Sequence, residues 1–169
     1  MKQAVLKQVK YGGMTMHVPE IWDVETEELQ EFDGQTSHSI SISASGEDVR
    51  SIDVSFGPMP EGSDAYSQAL VTFEEVAGEE GLQACCEELD ENDGPILCFD
   101  FKGLEAHGFS LMTEENQPCF FFCVEIPQTD QTKPEQNQPK LLTVLLRAAD
   151  NETLQDLLDF TEEYLECEA

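Results

Sequence analysis

Two stretches in the first third of the chain alternate strictly between apolar and polar side chains, and this alternation constrains the fold more than any other feature. Residues 38–45 read HSISISAS, and residues 50–56 read RSIDVSF. A period of two is typical of a half-buried strand, and the turn residues Gly46, Glu47 and Asp48 between the stretches favour an antiparallel hairpin. The pattern predicts a sheet with one apolar face. Its other face carries hydroxyl groups that are either solvated or bind a ligand.

Two further elements are predicted in the first half of the chain. Gly12 and Gly13 separate two short alternating runs within residues 5–18, which is typical of a hairpin with a tight turn. Ser63 or Asp64 is a good N-cap for a helix that Gly78 would end. The apolar residues at helical spacing in that segment are Tyr66, Ala69, Leu70, Phe73 and Val76.

The second half of the chain contains several apolar runs. Leu82–Leu89 is predicted as a strand, followed by a turn at residues 91–94. Ile96–Phe101 and Phe120–Ile126 are nearly continuous apolar runs, so they are predicted as central strands, with Ala106–Met112 between them.

The C-terminal part is predicted as a loop, a strand and a helix. Residues 128–140, QTDQTKPEQNQPK, hold two prolines and no apolar side chain, which indicates a polar surface loop. Leu141–Arg147 is predicted as the last strand, and Asp150 or Asn151 as the N-cap of a final helix. The apolar stripe of that helix comprises Leu154, Leu157, Leu158, Thr161 and Leu165.

Length and order of elements together predict one α+β domain over residues 1–169. A chain of 169 residues is long enough to bury a core without a disulfide or a metal, and 40% of its residues are hydrophobic. The expected architecture is a single domain with a mainly antiparallel sheet of about seven strands and two principal helices.

Charge excludes several classes of function. The chain has 36 acidic and 8 basic residues, a net charge of −28. Such a chain cannot neutralise nucleic-acid phosphates with a basic surface, and adsorption to anionic membranes is disfavoured. The N-terminal segment lacks the apolar run of a signal peptide, and no apolar run approaches the length of a membrane span. These features predict a cytoplasmic protein whose acidity either maintains solubility or steers a basic partner toward it.

The six cysteines at positions 85, 86, 98, 119, 123 and 167 are predicted to be reduced, because a cytoplasmic chain keeps its thiols free. Cys119 and Cys123 fall in a predicted strand, where four residues span about 13 Å, too far for a shared tetrahedral ion. Cys85 and Cys86 are adjacent and would point to opposite faces of a strand. Free, mostly buried cysteine is therefore expected, with no metal site.

Sequence motifs give no support for a cofactor. Neither glycine-rich nucleotide fingerprint occurs, and the Gly-x-Ser-x-Gly and His-Glu-x-x-His motifs are absent. A calcium loop aligned on Gly94 would place Leu89 at its first ligand position, which lacks an oxygen ligand. No cofactor and no catalytic residue are predicted.

A weaker alternative is that a carboxylate inside a strand acts as a general base. Asp53, Asp100 and Glu125 lie within predicted strands, and His107 is a further candidate. Asp100, between two phenylalanines, is the most interesting of them. The competing interpretation is that it faces solvent at the rim of the sheet.

Candidate partner-binding residues come from one aromatic side chain and one acidic cluster. Trp22 follows a Val-Pro phrase, where an indole either anchors the edge of a core or contacts a partner. The acidic cluster comprises Glu87, Glu88, Asp90, Glu91 and Asp93.

The order of elements resembles a known fold. An N-terminal hairpin, Val18, Pro19 and Trp22, paired strands, a helix from Ser63, and a Leu-Leu-Thr-Val-Leu-Leu strand before Asp150 are similar to the PsbP-like α/β/α sandwich, including bacterial domain families of that fold. The resemblance implies a fold whose members act by binding proteins. It implies no catalytic residues.

Two functions follow as hypotheses. The first is a non-enzymatic protein-interaction module, an adaptor or chaperone, for another protein that is basic or amphipathic. The second is an acidic antagonist, an immunity protein or nucleic-acid mimic. The adaptor requires an apolar groove rimmed by acid, whereas the antagonist requires carboxylates in a row. A small enzyme using a carboxylate or His107 is a third possibility, and it requires a deep pocket around that group.

Overall fold

Two antiparallel sheets and two helices make up the part of the chain that the computed structural model describes. The described residues are 5–30, 36–44, 50–59, 62–77, 82–84, 96–113, 117–126 and 140–167. In chain order the elements are β1 (Leu6–Tyr11), β2 (Met14–Pro19), β3 (Asp23–Gln30), β4 (Thr36–Ser43), β5 (Arg50–Pro58), α1 (Ala65–Ala77), β6 (Leu82–Ala84), β7 (Leu97–Phe101), β8 (Leu104–Thr113), β9 (Pro118–Ile126), β10 (Lys140–Ala148), α2 (Asn151–Tyr164) and β11 (Leu165–Cys167).

The large sheet contains eight of these strands. Seven of them follow the order β3-β4-β5-β10-β9-β8-β6. The eighth, β7, pairs with residues 104–108 of β8, whereas β6 pairs with residues 111–113. All of these pairs are antiparallel. The prediction of an α+β domain with a mainly antiparallel sheet and two principal helices is thereby confirmed, as is the hairpin of the two alternating stretches, β4 and β5.

The small sheet has the order β1-β2-β11. The predicted N-terminal hairpin forms, with Gly12 and Gly13 in the left-handed region at φ of 59° and 87°. Gly12 is required for a second reason, because a Cβ at this position would collide with His38 on β4. The hairpin belongs to the small sheet rather than the large one, and its turn lies against β4 of the large sheet.

One apolar run was assigned to the wrong place in the sheet. Ile96–Phe101 was expected to form a central strand, but β7 pairs only with β8 among the described residues and lies at an edge. Leu97 is 52% exposed there. Apolar composition predicted the strand correctly but not its position, because aromatic residues also cover the rim of a core. Phe120–Ile126 is central as predicted, since β9 lies between β8 and β10.

Helices cover the two faces of the large sheet unequally. α2 and the small sheet pack on one face, where Val54, Leu142 and Val144 are at most 1% exposed. α1 packs on the other face, mainly over β8 and β9. The alternating strands β4 and β5 thus have a buried face toward α2 and a partly exposed face on the side of α1.

Both helices begin at predicted caps. Asp64 accepts a hydrogen bond from the Ser67 backbone N–H at 2.8 Å, and Asp150 accepts one from Thr153 at 2.7 Å. These bonds lower the pKa of both carboxyls below its ordinary value. The second helix ends earlier than its apolar stripe predicted. Leu165 is buried in β11, so β10 is not the last strand.

Several predicted features lie outside the described residues. They are the turn at residues 46–48, the helix end at Gly78, the strand beyond Ala84, the turn at residues 91–94, the cysteines 85 and 86, and residues 128–139 of the polar loop.

Candidate functional site

The α1-facing side of the large sheet is buried over β8 and β9 and only partly buried over β4 and β5. Over β8 and β9, α1 buries Ala69 against the sheet, and Phe73 makes an edge-on ring contact with Phe109 at 5.2 Å. On β4 and β5 the side chains of the same face are only partly buried, as at Ser41 and Asp53. The predicted hydroxyl face is thus present and accessible.

A cavity of about 490 Å³ lies where α1 stops covering this face. Side chains of β8, β9 and β10 form the apolar lining of this cavity. Its polar lining comes from β4, β5 and α1 and from the ends of β9 and β10. The lining residues are Ser43, Ser51, Asp53, Thr72, Phe109, Leu111, Cys119, Phe121, Leu145 and Arg147. The volume falls within the range of about 300–1,000 Å³ that is typical of ligand pockets.

Strand register aligns six residues into a continuous line across this face. Each one is the cross-strand partner of the next, so the line is fixed by the backbone. The six residues, called here the cross-strand row, are Glu25, Ser41, Asp53, Leu145, Phe121 and Phe109. At about 4.8 Å between strands, the row is roughly 24 Å long. It runs from an exposed carboxylate at the sheet edge to two phenylalanines beside α1.

The acidic end of the row lies in a second, open depression of about 430 Å³ on the edge strand β3. Glu25, Thr26, Glu27 and Ser41 line it. Within the described residues β3 pairs only with β4. Carboxylates on such an edge discourage pairing with another acidic chain and attract a basic one.

The described thiols on this face are not activated. The described lining of the larger cavity contains no histidine, and its thiol, Cys119, donates a hydrogen bond to the Gln117 carbonyl at 3.8 Å. A second thiol on this face, Cys123, is 1% exposed, and burial raises its pKa to about 12. Neither thiol has the environment of an activated nucleophile.

The residues proposed as general bases do not meet in one pocket. Asp100 and Glu125 are exposed, as the solvent-facing interpretation of Asp100 predicted, and Asp53 alone lines the larger cavity. His107 lies near the N-terminus of α1, where its ring meets Tyr66 edge-on at 5.6 Å.

Trp22 lies on the opposite side of the large sheet from the cavity. Its ring is partly buried, packs against the α2-side core, and meets Phe160 at 5.8 Å. Its carbonyl accepts a hydrogen bond from the Lys7 ammonium at 2.7 Å. These contacts fit an anchor at the edge of the core, and a partner contact by Trp22 stays a prediction. The acidic cluster at residues 87–93 lies outside the described residues.

A group of metal-ligating side chains was missed in the sequence. Cys98, Glu105 and His107 bring one ligand atom each to within 4.8 Å of one another. The Cys98 thiol donates a hydrogen bond to Glu105 at 3.1 Å, which raises the pKa of the thiol. Cys98 is exposed, contrary to the expectation of mostly buried cysteines, whereas Cys119 and Cys123 are buried as expected.

The missed group could have been found from the turn between β7 and β8. Lys102 and Gly103 form a two-residue turn with φ of 52° and 81°. Counting outward from such a turn places Cys98 opposite His107. Spacing along the chain alone does not reveal a pair that only a hairpin creates.

Comparison with known proteins returned no match to a family model, to a curated protein or to a solved structure. The resemblance to the PsbP-like sandwich therefore stays a prediction. Within the described residues no helix is long and apolar enough to cross a membrane.

Proposed function

We propose that the chain is a non-enzymatic, cytoplasmic protein-interaction module that binds a basic, amphipathic segment of another protein. The segment lies across the α1-facing side of the large sheet. Its apolar end enters the cavity beside α1, and its basic end lies over the edge strand β3. The PsbP-like resemblance, which implies a protein-binding fold, supports the same proposal.

The observation that carries the proposal is the polarity gradient along the cross-strand row. Glu25 at the sheet edge and Asp53 in the middle of the row supply carboxylates, and Phe121 and Phe109 supply an apolar surface at the other end. A length of roughly 24 Å accommodates about seven extended residues or four to five turns of helix. This surface combines an apolar groove with an acidic rim, the combination that distinguishes an adaptor from an acidic antagonist.

The two ends of the row contribute differently to binding. An apolar anchor side chain that becomes fully buried contributes about 1.5–3 kcal/mol, which makes the cavity the main source of affinity. Glu25 is exposed and Asp53 is partly buried, so these carboxylates accelerate association and select a basic partner. Arg147 at the cavity rim would repel a cationic anchor and so favours an apolar one.

The experiment is an affinity capture from the native cell lysate by the wild type and three variants, at low and at high salt. Asp53→Lys reverses charge in the middle of the row, and Thr72→Trp fills the cavity from the side of the helix. Glu163→Lys is the matched control, because it makes the same charge change at an exposed site on α2.

The proposal predicts one partner, recovered in stoichiometric amount by the wild type and by Glu163→Lys. Asp53→Lys and Thr72→Trp should both lose it while unfolding at temperatures close to the wild type. Equal loss in Asp53→Lys and Glu163→Lys would mean that net charge alone drives capture. That result, or capture of no protein by the wild type, would refute the proposal.

A second candidate function is supported by the edge strand itself. Asp23, Glu25 and Glu27 occupy alternate positions of β3, so their carboxylates form a row on one face at intervals of roughly 6.7 Å. Such a row suits an antagonist that occupies a basic, phosphate-binding site. In that case Glu25→Lys with Glu27→Lys would abolish binding, whereas Thr72→Trp would leave it unchanged.

A further inference from the structure

The geometry points to a zinc-type metal site formed by Cys98, Glu105 and His107 on the β7–β8 hairpin. These three residues lie on the α1-facing side of the sheet but do not line the cavity. The site is therefore independent of the proposed partner-binding surface.

Backbone register holds the three ligands together. Cys98 is the direct cross-strand partner of His107, and Glu105 lies two residues from His107 on the same face of β8. In a hairpin with a two-residue turn, hydrogen-bonded and non-hydrogen-bonded pairs alternate outward from the turn. The pair of Cys98 and His107 is then a non-hydrogen-bonded one, whose side chains approach most closely.

One of the two distances between ligand atoms matches that around a tetrahedral zinc ion, and the other is slightly shorter. Bonds of about 2.0–2.3 Å from zinc to nitrogen, oxygen and sulfur place neighbouring ligand atoms about 3.3–3.6 Å apart. The His107 Nε2 atom lies 3.4 Å from Glu105 Oε1, and the Cys98 Sγ atom lies 3.1 Å from the same oxygen. The sulfur–oxygen distance must lengthen by about 0.4 Å to fit the ion, and both side chains that define it, Cys98 and Glu105, are exposed.

The surroundings of the site restrain the histidine and favour a cation. The side chain of His107 is only 17% exposed, and the edge-on contact with Tyr66 limits rotation of its ring. Asp64, the cap of α1, interacts electrostatically with His107. The Glu105 side chain is 69% exposed, so an ion can reach the group directly from solvent.

The donor set selects the metal. One sulfur, one imidazole nitrogen and one carboxylate oxygen suit zinc, whereas magnesium and calcium require oxygen ligands. Binding replaces the thiol proton: the Cys98 S–H bond breaks, a zinc–sulfur bond forms, and one proton is released to solvent. Three protein ligands leave the fourth tetrahedral position for water.

The test measures zinc binding by competition with a chromophoric chelator, in physiological salt with excess Mg²⁺ to occupy the other carboxylates. The wild type should bind one tight equivalent. Cys98→Ser and His107→Gln should lower the affinity at least as much as the roughly 10–100-fold that loss of a ligand's hydrogen-bond partner costs. Cys167→Ser, a matched thiol removal at a half-buried site, should leave the affinity unchanged.

Cobalt provides a second readout. Co²⁺ added to the wild type should give a thiolate-to-cobalt charge-transfer band in the near ultraviolet, and this band should be absent in Cys98→Ser. A band of equal intensity in Cys98→Ser, or zinc displaced completely by Mg²⁺ from the wild type, would overturn the assignment. Because Cys98 is exposed, Cys98→Ser is expected to fold normally.

Discussion

Introducing a cysteine at position 107 tests the register of the β7–β8 hairpin, on which the metal site depends. In the variant His107→Cys the new thiol lies directly opposite Cys98. In a non-hydrogen-bonded antiparallel pair the Cα atoms are about 4.5 Å apart, within the range of about 4.4–6.8 Å that a disulfide requires. We expect the two thiols to form a disulfide under mild oxidation.

The expected stabilisation follows from the length of the closed loop. Residues 98 to 107 enclose about ten residues, for which the loop-closure relation gives an upper limit of about 2.7 kcal/mol. In a domain of this size 1 kcal/mol shifts the unfolding midpoint by about 2–4 °C, so the upper limit corresponds to about 5–11 °C. The comparison is between oxidised and reduced forms of one variant, so the loss of the His107 ring cancels.

The assay combines peptide mapping by mass spectrometry with thermal unfolding of both forms. Glu105→Cys is the control, because position 105 is diagonal to Cys98, and diagonal neighbours are about 7–8 Å apart. The control should not form a bridge to Cys98. A bridge in the control, or no bridge and no change of the midpoint in His107→Cys, would refute the register and with it the grouping of the three ligands.

Three further predictions concern packing, capping and thiol reactivity. Gly108→Ala should lower the free energy of unfolding, measured by urea denaturation, by about 1–3 kcal/mol, because the added Cβ would collide with the backbone of β9. An unchanged or raised free energy of unfolding would contradict this close approach. The pKa of Asp150 is lowered in the folded state, so its ionised form contributes stability that is lost as the pH falls through that lowered pKa. Asp150→Asn keeps a cap that does not titrate, so the variant should lose less stability in acid than the wild type. Identical acid unfolding curves would argue against this role. Iodoacetamide at neutral pH should modify Cys98 in the native protein, because this thiol is exposed. Cys123 is buried, and burial raises its pKa to about 12, so it should react only after unfolding. Modification of Cys123 in the native protein would show that β9 is not buried as described.

Most of the local structure can be predicted from the sequence, because the apolar positions of each segment are also the positions that pack in the core. The alternation in β4 and β5 follows directly from one buried and one partly open face, and the caps at Asp64 and Asp150 provide the bonds that each helix start requires. The small sheet was not predicted. Its third strand, β11, has only three residues and continues directly from α2, so no hydrophobic period distinguishes it from the helix.

Long-range placement is the part that the sequence leaves open. An apolar run does not reveal whether it lies at the centre or the edge of a sheet, so β7 was expected at the centre. The cavity was also unpredictable, because it depends on how far α1 extends over the sheet. The cross-strand row, in contrast, follows from the alternation once the strand order is known. The ligand group on β7 and β8 follows from the turn at Lys102 and Gly103.

The two faces of the large sheet differ in how accessible their side chains are. On the α2 side, the inward residues of β4, β5 and β10 are almost completely buried by α2 and the small sheet, so a ligand cannot enter there without separating these layers. On the α1 side, a single helix leaves serines of β4 and β5 and the carboxylate of Asp53 partly accessible, and the ligand group of Cys98, Glu105 and His107 lies on the β7–β8 hairpin. A change on the α2 side should therefore act through stability, whereas an exposed change on the α1 side should alter binding with little effect on unfolding. Asp53→Lys and Glu163→Lys separate these two effects, since both reverse one charge and only one of them lies on the open face.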